Sequence, residues 1–211
     1  MPLNEHLFDF KEYPKDVLLR DGSVVVFRPT TGDDRKLLVE FFRSLTDRDR
    51  RYFKHDVSNK KTINKWCDEL DYDLVLPIIA LKKKGRKHKI VANGSLHTET
   101  HGWSTHVARI RFQVHPEFRG LGLGQAIASE LCERATMRGV QKLQAHVRAD
   151  NKDVLGLLRY IGFRKEGVFK RHAKDLYGRH HDVIIYWQDL EDFWRRMEDL
   201  QVDMDNPGCF P

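Results

Sequence analysis

The sequence predicts a single α/β domain. Apolar runs with the two-residue period of β-strands alternate along the chain with stretches of helical spacing. No repeat, linker or low-complexity stretch divides the 211 residues, and a chain of this length can bury one full core. We therefore expect one domain over residues 1–211, with a core of about 17–187 and a helical extension over 188–211.

Eight apolar runs predict the strands. They are rich in Val, Ile, Leu and Phe, side chains that fit a half-buried pleated surface. The first two flank Asp21-Gly22, a dipeptide typical of tight hairpins. In the fifth run apolar and polar residues alternate, so that Arg109, Arg111 and Gln113 share one face. In order, the predicted strands are 17–19, 24–27, 74–81, 89–97, 107–114, 143–147, 163–169 and 183–187.

Five stretches predict helices. Thr31 to Asp34 supply N-cap chemistry ahead of apolar residues spaced three and four apart. Asp189 is suited to cap a last helix, whose apolar side packs on the domain or forms a homodimer contact through Trp194, Met197 and Leu200. The charged segment 46–59 predicts a loop. In order, the predicted helices are 31–45, 63–70, 125–137, 151–160 and 190–200.

The composition limits the classes of function that we expect for this chain. Hydrophobic residues make up 40% of the chain, and no apolar run approaches the length of a membrane span, so we expect no membrane partner. The first residues lack the basic and apolar regions of a secretory signal. Cys67, Cys132 and Cys209 lie far apart and form no metal-ligand pattern, which favours a reduced, cytoplasmic setting. The formal net charge of +6 suits anionic ligands.

Two other features are weaker indications of a ligand. The basic run 82–89 resembles a hairpin turn that could touch nucleic acid or the 3′-phosphate of a coenzyme. A solvated turn is favoured, because no aromatic residues interleave with the charges. His97, His101 and His106 could be read as metal ligands, but their spacing fits no standard site and no cysteine joins them. We expect neither a bound metal nor nucleic acid.

The most informative segment is a glycine-rich turn between a strand and a helix. Arg119, Gly120, Gly122 and Gly124 follow a strand that breaks at a proline. Glycines let a ligand approach the backbone, and the first amides of the helix lack intrahelical acceptors, so they can bind phosphate oxygens. The run ends in Gly-Gln-Ala, which excludes the Gly-Lys-Ser/Thr of a P-loop, and its glycine spacing differs from Gly-x-Gly-x-x-Gly.

A second group of residues that could bind a ligand follows the next predicted strand. Asn151 begins the helix 151–160, and Gly162-Phe163 closes it. The asparagine suits two roles, as the N-cap of that helix or as a hydrogen-bonding partner of a ligand that reaches the carboxyl end of the strand. The two roles are compatible, and the residues alone favour the cap.

These motifs resemble the GNAT superfamily of acyl-CoA N-acyltransferases. Arg119, Gly122 and Gly124 fit its Arg-x-x-Gly-x-Gly pyrophosphate loop, and residues from about 18 to 187 are similar to the whole domain. Within the superfamily, the chain most resembles bacterial protein-lysine acetyltransferases, through three local matches. The first is 19–23 leading to 27–29 and then 40–45, the second is 71–73, and the third is 151–163. It implies a mixed, mostly antiparallel central sheet flanked by helices, in which two parallel strands splay apart around the coenzyme's pantetheine arm.

The resemblance also implies a cosubstrate and its binding residues. Acetyl-CoA would bind at the loop, and Asn151 would hold its pantetheine arm. The amine would attack the thioester directly, with a strand amide near Val114 stabilising the oxyanion. The implied coenzyme-binding residues are Phe112, Gln113, Val114, Arg119, Gly120, Leu121, Gly122, Leu123, Gly124, Gln125 and Asn151.

The catalytic positions depart from the family pattern. Lysine-acetylating members are expected to carry a glutamate base where this chain has Arg109, and arginine cannot act as a base at neutral pH. His146 and Glu99 are the candidate replacements. Arg109 and Arg111 could instead attract an acidic acceptor. Many members place a tyrosine acid where this chain has Leu158, so the leaving thiolate could draw a proton from other tyrosines. The two considered are Tyr177, expected in an open turn, and Tyr160, expected to pack against the loop helix.

The sequence therefore predicts an N-acetyltransferase that uses acetyl-CoA and an amine acceptor. A protein lysine is the first acceptor class, and a small amine or amino acid is the second. Arg109 in the base position keeps a different class open, an acyl-CoA-binding sensor module that has lost catalysis.

Overall fold

An eight-stranded sheet forms the centre of the computed structural model, which describes residues 10–85, 87–175, 177–192 and 195. The strands lie in the order β1-β2-β3-β4-β5-β6-β8-β7. Their bounds are β1 Lys15–Leu18, β2 Val24–Pro29, β3 Val75–Lys84, β4 Lys87–His97, β5 Val107–Val114, β6 Lys142–Arg148, β7 Arg164–Lys174 and β8 His180–Asp189. The helices are α1 Arg35–Ser44, α2 Asp47–Arg50, α3 Lys60–Asp68, α4 Leu123–Met137 and α5 Lys152–Tyr160.

The sheet is mixed and mostly antiparallel, as predicted. Among the described strands, only β5 and β6 run parallel, and α4 connects them. Their registered pairing covers three residues and ends at Arg109 opposite Gln144. Beyond that point β5 stays paired with β4 as far as Val114, and β6 stays paired with β8 as far as Arg148. The two strands therefore splay apart towards their carboxyl ends, which confirms the predicted gap.

Two hydrophobic cores cover the two faces of the sheet. On one face α4 lies so close to β4 that a Cβ added at Gly94 would be 3.0 Å from the side chain of Ile127. The apolar side of α5 joins this larger core through Leu155 and Leu158. On the other face α1 and α3 pack over β3 and β4, with Phe41 and its neighbours around Ile79. Among the described residues, the core on that face includes no side chain of β5 or β6.

An ionic network fastens the start of the described chain to α4. Glu130 and Arg134 are both buried on α4. The Glu130 carboxylate accepts hydrogen bonds from the Tyr13 hydroxyl at 2.5 Å and from Lys15 Nζ at 2.9 Å. Arg134 Nη2 pairs with Glu12 at 2.6 Å. These contacts hold β1 and the residues before it beside the helix that follows the glycine loop.

Some predicted boundaries were wrong. The basic run 82–89 is mostly strand, because β3 and β4 continue through it and pair as far as Lys84 opposite Lys87. The predicted loop 46–59 contains the short helix α2. The predicted helix 190–200 begins with helical residues 190–192, and its apolar stripe lies outside the described residues, as does Cys209. None of the helices within the described ranges is long and apolar enough to cross a membrane.

Candidate functional site

A cavity of about 490 Å³ opens where β5 and β6 separate. It is enclosed by the end of β5, the glycine loop, the first turn of α4, one side of α5, and α2. Nine of the eleven predicted coenzyme-binding residues line it, namely Phe112, Gln113, Val114, Arg119, Gly120, Gly122, Gly124, Gln125 and Asn151. Tyr160, considered above as a proton donor, also lines it. The sequence did not indicate the other lining residues, which are Arg20, Arg48, Asp49, Tyr52, Asp153, Val154, Gly156 and Leu157.

The glycine loop has the backbone conformation that an anion site requires. Gly120 and Gly122 have φ values of +78° and +85°, a region that side chains disfavour. Gly122 is the N-cap of α4, so no side chain caps the first amides of that helix. These amides and the positive end of the α4 dipole face the cavity, where they can stabilise negative charge.

Arg20 lies over this loop, although it is about a hundred residues away in sequence. Its backbone amide donates to the carbonyl of Leu121 at 3.1 Å. A Cβ added at Gly122 would be 3.4 Å from Arg20 Cγ and Nε. Within the described ranges, the Arg20 side chain has no hydrogen bond or ion pair to a carboxylate. The β1–β2 hairpin thus supplies the loop with a second cation, which spacing along the sequence could not reveal.

The other loop arginine contacts the protein itself. Arg119 Nη2 donates to Asp49 Oδ1 at 2.6 Å, and its Nε and Nη2 lie 3.3 Å from the carbonyl of Val114. Asp49 is buried and belongs to the N-terminal turn of α2, where its amide donates to Thr46 Oγ1 at 3.1 Å. The pair fixes the Arg119 guanidinium between α2 and the end of β5, at the rim of the cavity.

The helix α5 forms the opposite wall. It approaches α4 closely, because a Cβ at Gly124 would be 2.9 Å from Leu157 Cδ2. Asn151 is the N-cap of α5, but its side chain makes no capping hydrogen bond. It faces the cavity instead, with its amide available to a ligand. Tyr160, at the far end of this wall, is 71% exposed, so the expectation that it packs against the loop helix was wrong.

Two predicted coenzyme-binding residues do not line the cavity. The Leu123 side chain is fully buried in the larger core, because it points from the first turn of α4 into the sheet. Leu121 also packs against that core, and its carbonyl accepts the hydrogen bond from Arg20. Both residues can offer only backbone groups to a ligand. Their side chains hold the loop in place.

A cationic patch lies on the sheet face opposite α4 and α5. It comprises Arg109 and Arg111 on β5, His97 on β4 and His146 on β6. His97 is the cross-strand partner of Arg109, and Arg111 and His146 each lie two residues past the last β5–β6 pair. Burial first, and then the two arginines, lower the pKa of His97 and of His146 to about 4. Both imidazoles are therefore neutral at neutral pH.

The structure separates the two candidate bases. His146 stands beside the splay, with its ring 6.1 Å from that of Phe169 on β7. Glu99 is exposed beyond the end of β4, past the pair of His97 with Arg109. Val114 is five residues of β5 beyond Arg109, a rise of about 17 Å. Glu99 therefore lies beyond Arg109, at the end of β5 away from the glycine loop, and neither Glu99 nor His146 lines the cavity.

The remaining candidates lie outside the site. Tyr177 is 78% exposed in the β7–β8 turn, where Arg179 lies over its ring at 5.3 Å. Among the described residues, no group of three or more His, Cys, Asp or Glu could hold a metal ion. The thiols of Cys67 and Cys132 are both buried, and neither lines the cavity.

Comparison with known families gives one match that covers most of the site. Residues 39–163 match the family model described as the acetyltransferase (GNAT) family. The match extends over 125 of the 211 residues, more than half of the chain. It begins in α1 and ends just after α5, so it includes the glycine loop, the splayed strands and both walls of the cavity.

Solved structures share this fold. The GNAT domain of S. lividans PAT is 20% identical, with 89% of this chain and 99% of that chain covered and a TM-score of 0.66. Mycobacterium smegmatis RimJ, solved in complex with CoA-disulfide, is 21% identical, with 85% and 90% covered and a TM-score of 0.69. The ribosomal-protein-S5-alanine acetyltransferase of Vibrio fischeri is 17% identical, with 80% and 94% covered and a TM-score of 0.68.

Proposed function

We propose, because this chain belongs to the acetyltransferase (GNAT) family, that it transfers an acetyl group from acetyl-CoA to a primary amine, with a protein lysine as the first acceptor class. One observation carries the proposal. A single cavity connects a left-handed glycine loop at the start of α4 with the gap between β5 and β6. One end suits a pyrophosphate, and the other suits an extended arm.

The cavity suggests how the coenzyme would lie. Its pyrophosphate would receive hydrogen bonds from the amides that follow Gly122, with charge supplied by Arg20 and Arg119. The pantetheine arm would run beside α5 past Asn151 and enter the splay, where free strand edges can pair with its amides. The thioester would then lie near the β5 backbone between Phe112 and Val114. A strand amide there would stabilise the oxyanion of the tetrahedral intermediate.

The acceptor would approach from the sheet face opposite α4 and α5. Its neutral amine attacks the thioester carbonyl, and the coenzyme leaves as a thiolate that takes up a proton. An amine with an ordinary pKa of about 10.4 must first lose a proton. We assign the acceptance of that proton to His146, directly or through water, because its imidazole is neutral and lies beside the splay. An imidazole with a pKa of about 4 is a weak base. The positive charge of the cationic patch favours loss of the proton from the acceptor amine, because it disfavours the ammonium form of that amine.

Calorimetry tests the coenzyme site. Acetyl-CoA titrated into the purified protein should give saturable one-site binding, whereas NAD and ATP should not. Arg20→Gln should raise the Kd about tenfold, because it removes a charge-assisted contact to phosphate. Arg43→Gln, which changes an exposed arginine of α1, should leave the Kd unchanged. Equal binding of all three nucleotides would sink the proposal.

A thiol-release assay tests the transfer. With a saturating lysine peptide, His146→Gln should lower kcat by at least about tenfold, towards the range typical of a lost general base, while the Kd for acetyl-CoA stays constant. His180→Gln, a change of an exposed histidine in β8, is the control. An unchanged kcat in His146→Gln would assign the proton to water alone.

A sensor module is the second candidate, and the arginine at position 109 favours it. In that case acetyl-CoA binds and Gly122→Asp abolishes the binding, but no acceptor is acetylated. Product detected by mass spectrometry from any amine acceptor would exclude the sensor, because a protein that has lost catalysis forms none.

A further inference from the structure

In the part of the chain that the structure describes, two arginines on the sheet face opposite α4 and α5 have no acidic partner. Arg109 and Arg111 project on the same side of β5, two residues and about 7 Å apart. Both are partly buried. The Nε atom of Arg109 is buried and makes no hydrogen bond. Within the described ranges, neither guanidinium is paired with a carboxylate. A buried donor without an acceptor costs free energy in the folded protein, so it points to a ligand that would satisfy it.

The surroundings add positive charge. The side chains that lower the pKa of His97 include both arginines, Lys54 and His55. The last two come from the segment between α2 and α3. On the other side of the patch, His172 of β7 packs against Phe169, with ring centroids 4.8 Å apart. The acid that acts on His146 is Glu166, and its Oε1 is already paired with Lys142 at 2.5 Å.

The position of the patch relates it to the acceptor. Pairing between β5 and β6 stops at Arg109, and Arg111 is two residues further on, where the gap begins. The phosphate-binding end of the cavity lies beyond Val114, at the glycine loop, on the side of α4 and α5. Neither arginine lines the cavity. Arg111 is next to Phe112, which does, so the pair lies along β5 beside the acyl end proposed for the cavity, on the sheet face opposite α4 and α5.

We propose that Arg109 and Arg111 bind a carboxylate of the acceptor, close to the amine that is acetylated. This inference rests on the proposed acetyl transfer and names the acceptor class within it. A guanidinium presents a planar fork of donors that matches a carboxylate. The pair would orient the acceptor so that its amine reaches the thioester. Both arginines are positioning residues, because they touch the acceptor away from the reacting atoms.

Such a carboxylate could come from two sources. In a free amino acid it belongs to the same molecule as the amine. In a protein it belongs to an aspartate or glutamate beside the acetylated lysine. Both sources present the same chemistry to the patch. The two sources differ in the rest of the acceptor molecule that the site must accommodate, and matched substrates distinguish them.

The experiment compares pairs of acceptors that differ only in the anion. One arm uses free lysine and glutamate against lysinamide and glutamine. The other uses a lysine peptide flanked by glutamates against the same peptide flanked by glutamines. We expect kcat/KM, measured by thiol release, to be about tenfold or more higher for the carboxylate member in at least one arm, mainly through KM. The arm that responds identifies the source.

Arginine variants test the assignment of the residues. Arg111→Gln and Arg109→Gln should each raise the KM of the preferred acceptor about tenfold and abolish its advantage over the amide, with the Kd for acetyl-CoA unchanged. Arg111→Lys should retain part of the preference, because it keeps the charge without the fork. Arg111→Glu should reverse the preference. Arg43→Gln, outside the patch, should behave as the wild type.

Three results would overturn the inference, and each differs from failure of acetyl transfer itself. In the first, amide and carboxylate acceptors react equally well. In the second, the arginine variants raise the Kd for acetyl-CoA, which would place both residues in the coenzyme site. In the third, Arg111→Glu leaves the preference unchanged. If acetyl-CoA does not bind, or no acceptor releases thiol, the proposed function fails first.

Discussion

At the scale of single residues, the histidines beside the two arginines make the stability of the fold depend on pH. His97 has a folded-state pKa of about 4, whereas an unfolded histidine titrates near 6.5. Between these values the unfolded chain binds more protons. The free energy of unfolding is therefore fully retained above about pH 6.5 and falls as the pH drops towards 4.

This pH dependence predicts the behaviour of one variant. His97→Gln removes the titrating group and keeps a partner for Ser95 Oγ, which lies 2.9 Å from His97 Nε2. We expect the loss of Tm between pH 7 and pH 5 to be smaller than in the wild type by about 4–8 °C, which corresponds to about 2 kcal/mol. His88→Gln, at an exposed position of β4, should follow the wild type. An unchanged pH dependence in His97→Gln would contradict the prediction.

Two glycines with positive φ, one in the glycine loop and one at the other end of α4, allow the effect of backbone strain to be distinguished from that of ligand contact. Gly122 and Gly139 have φ values of +85° and +72° at the two ends of α4. Alanine at either position should lower the free energy of unfolding by about 1–2 kcal/mol, because it must adopt the left-handed region. Only Gly122→Ala should also weaken acetyl-CoA binding, since its methyl would meet Arg20, whereas nothing lies within 4 Å of a Cβ at Gly139. Chemical denaturation and calorimetry together test this, and equal Kd values for the two variants would refute it.

At the scale of elements, one buried carboxylate is shared by most of the contacts that attach β1 and the residues before it to α4. Glu130 joins Tyr13, Lys15 and Arg134. Glu130→Ala would remove one partner of the buried Arg134 guanidinium, which keeps Glu12 and Glu133, so we expect a loss of about 1–3 kcal/mol in the free energy of unfolding. Glu69→Ala breaks an exposed pair with Lys65 on α3 and should cost less than about 1 kcal/mol. Urea denaturation measures both, and similar losses would contradict a role for burial.

A helix or strand could be predicted from the sequence only where its own residues determine its structure. The strand 107–114 was predicted to the residue, because apolar and polar side chains alternate through its whole length. The helix α2 was not, because its four residues are all charged and have no apolar period. Its consequence, the pair of Asp49 with Arg119, is a contact across 70 residues. The position of Arg20 over Gly122 depends likewise on tertiary packing.

At the scale of the whole molecule, the separation of β5 and β6 could be predicted only from the family resemblance. The apolar pattern of β5 continues to Val114, and that of β6 continues to Val147. Nothing in either strand marks Arg109 and Gln144 as the last pair. The gap arises because each strand follows its other neighbour, β4 or β8, in a sheet that twists. The same separation leaves strand edges unpaired inside the domain, and this gives the coenzyme a structural role.

Acetyl-CoA should therefore join the two halves of the sheet. A ligand in the cavity would contact β5 on one side of the gap and α5, which follows β6, on the other. At about 100 times the Kd, binding adds about 2.7 kcal/mol to the free energy of unfolding, so the Tm should rise by about 5–10 °C. Amide hydrogen exchange should slow together in residues 110–114 and 145–157, and remain unchanged in the β7–β8 turn. NAD at the same concentration is the control. Protection confined to the glycine loop would mean that the arm does not enter the splay, and the proposed path of the coenzyme would be wrong.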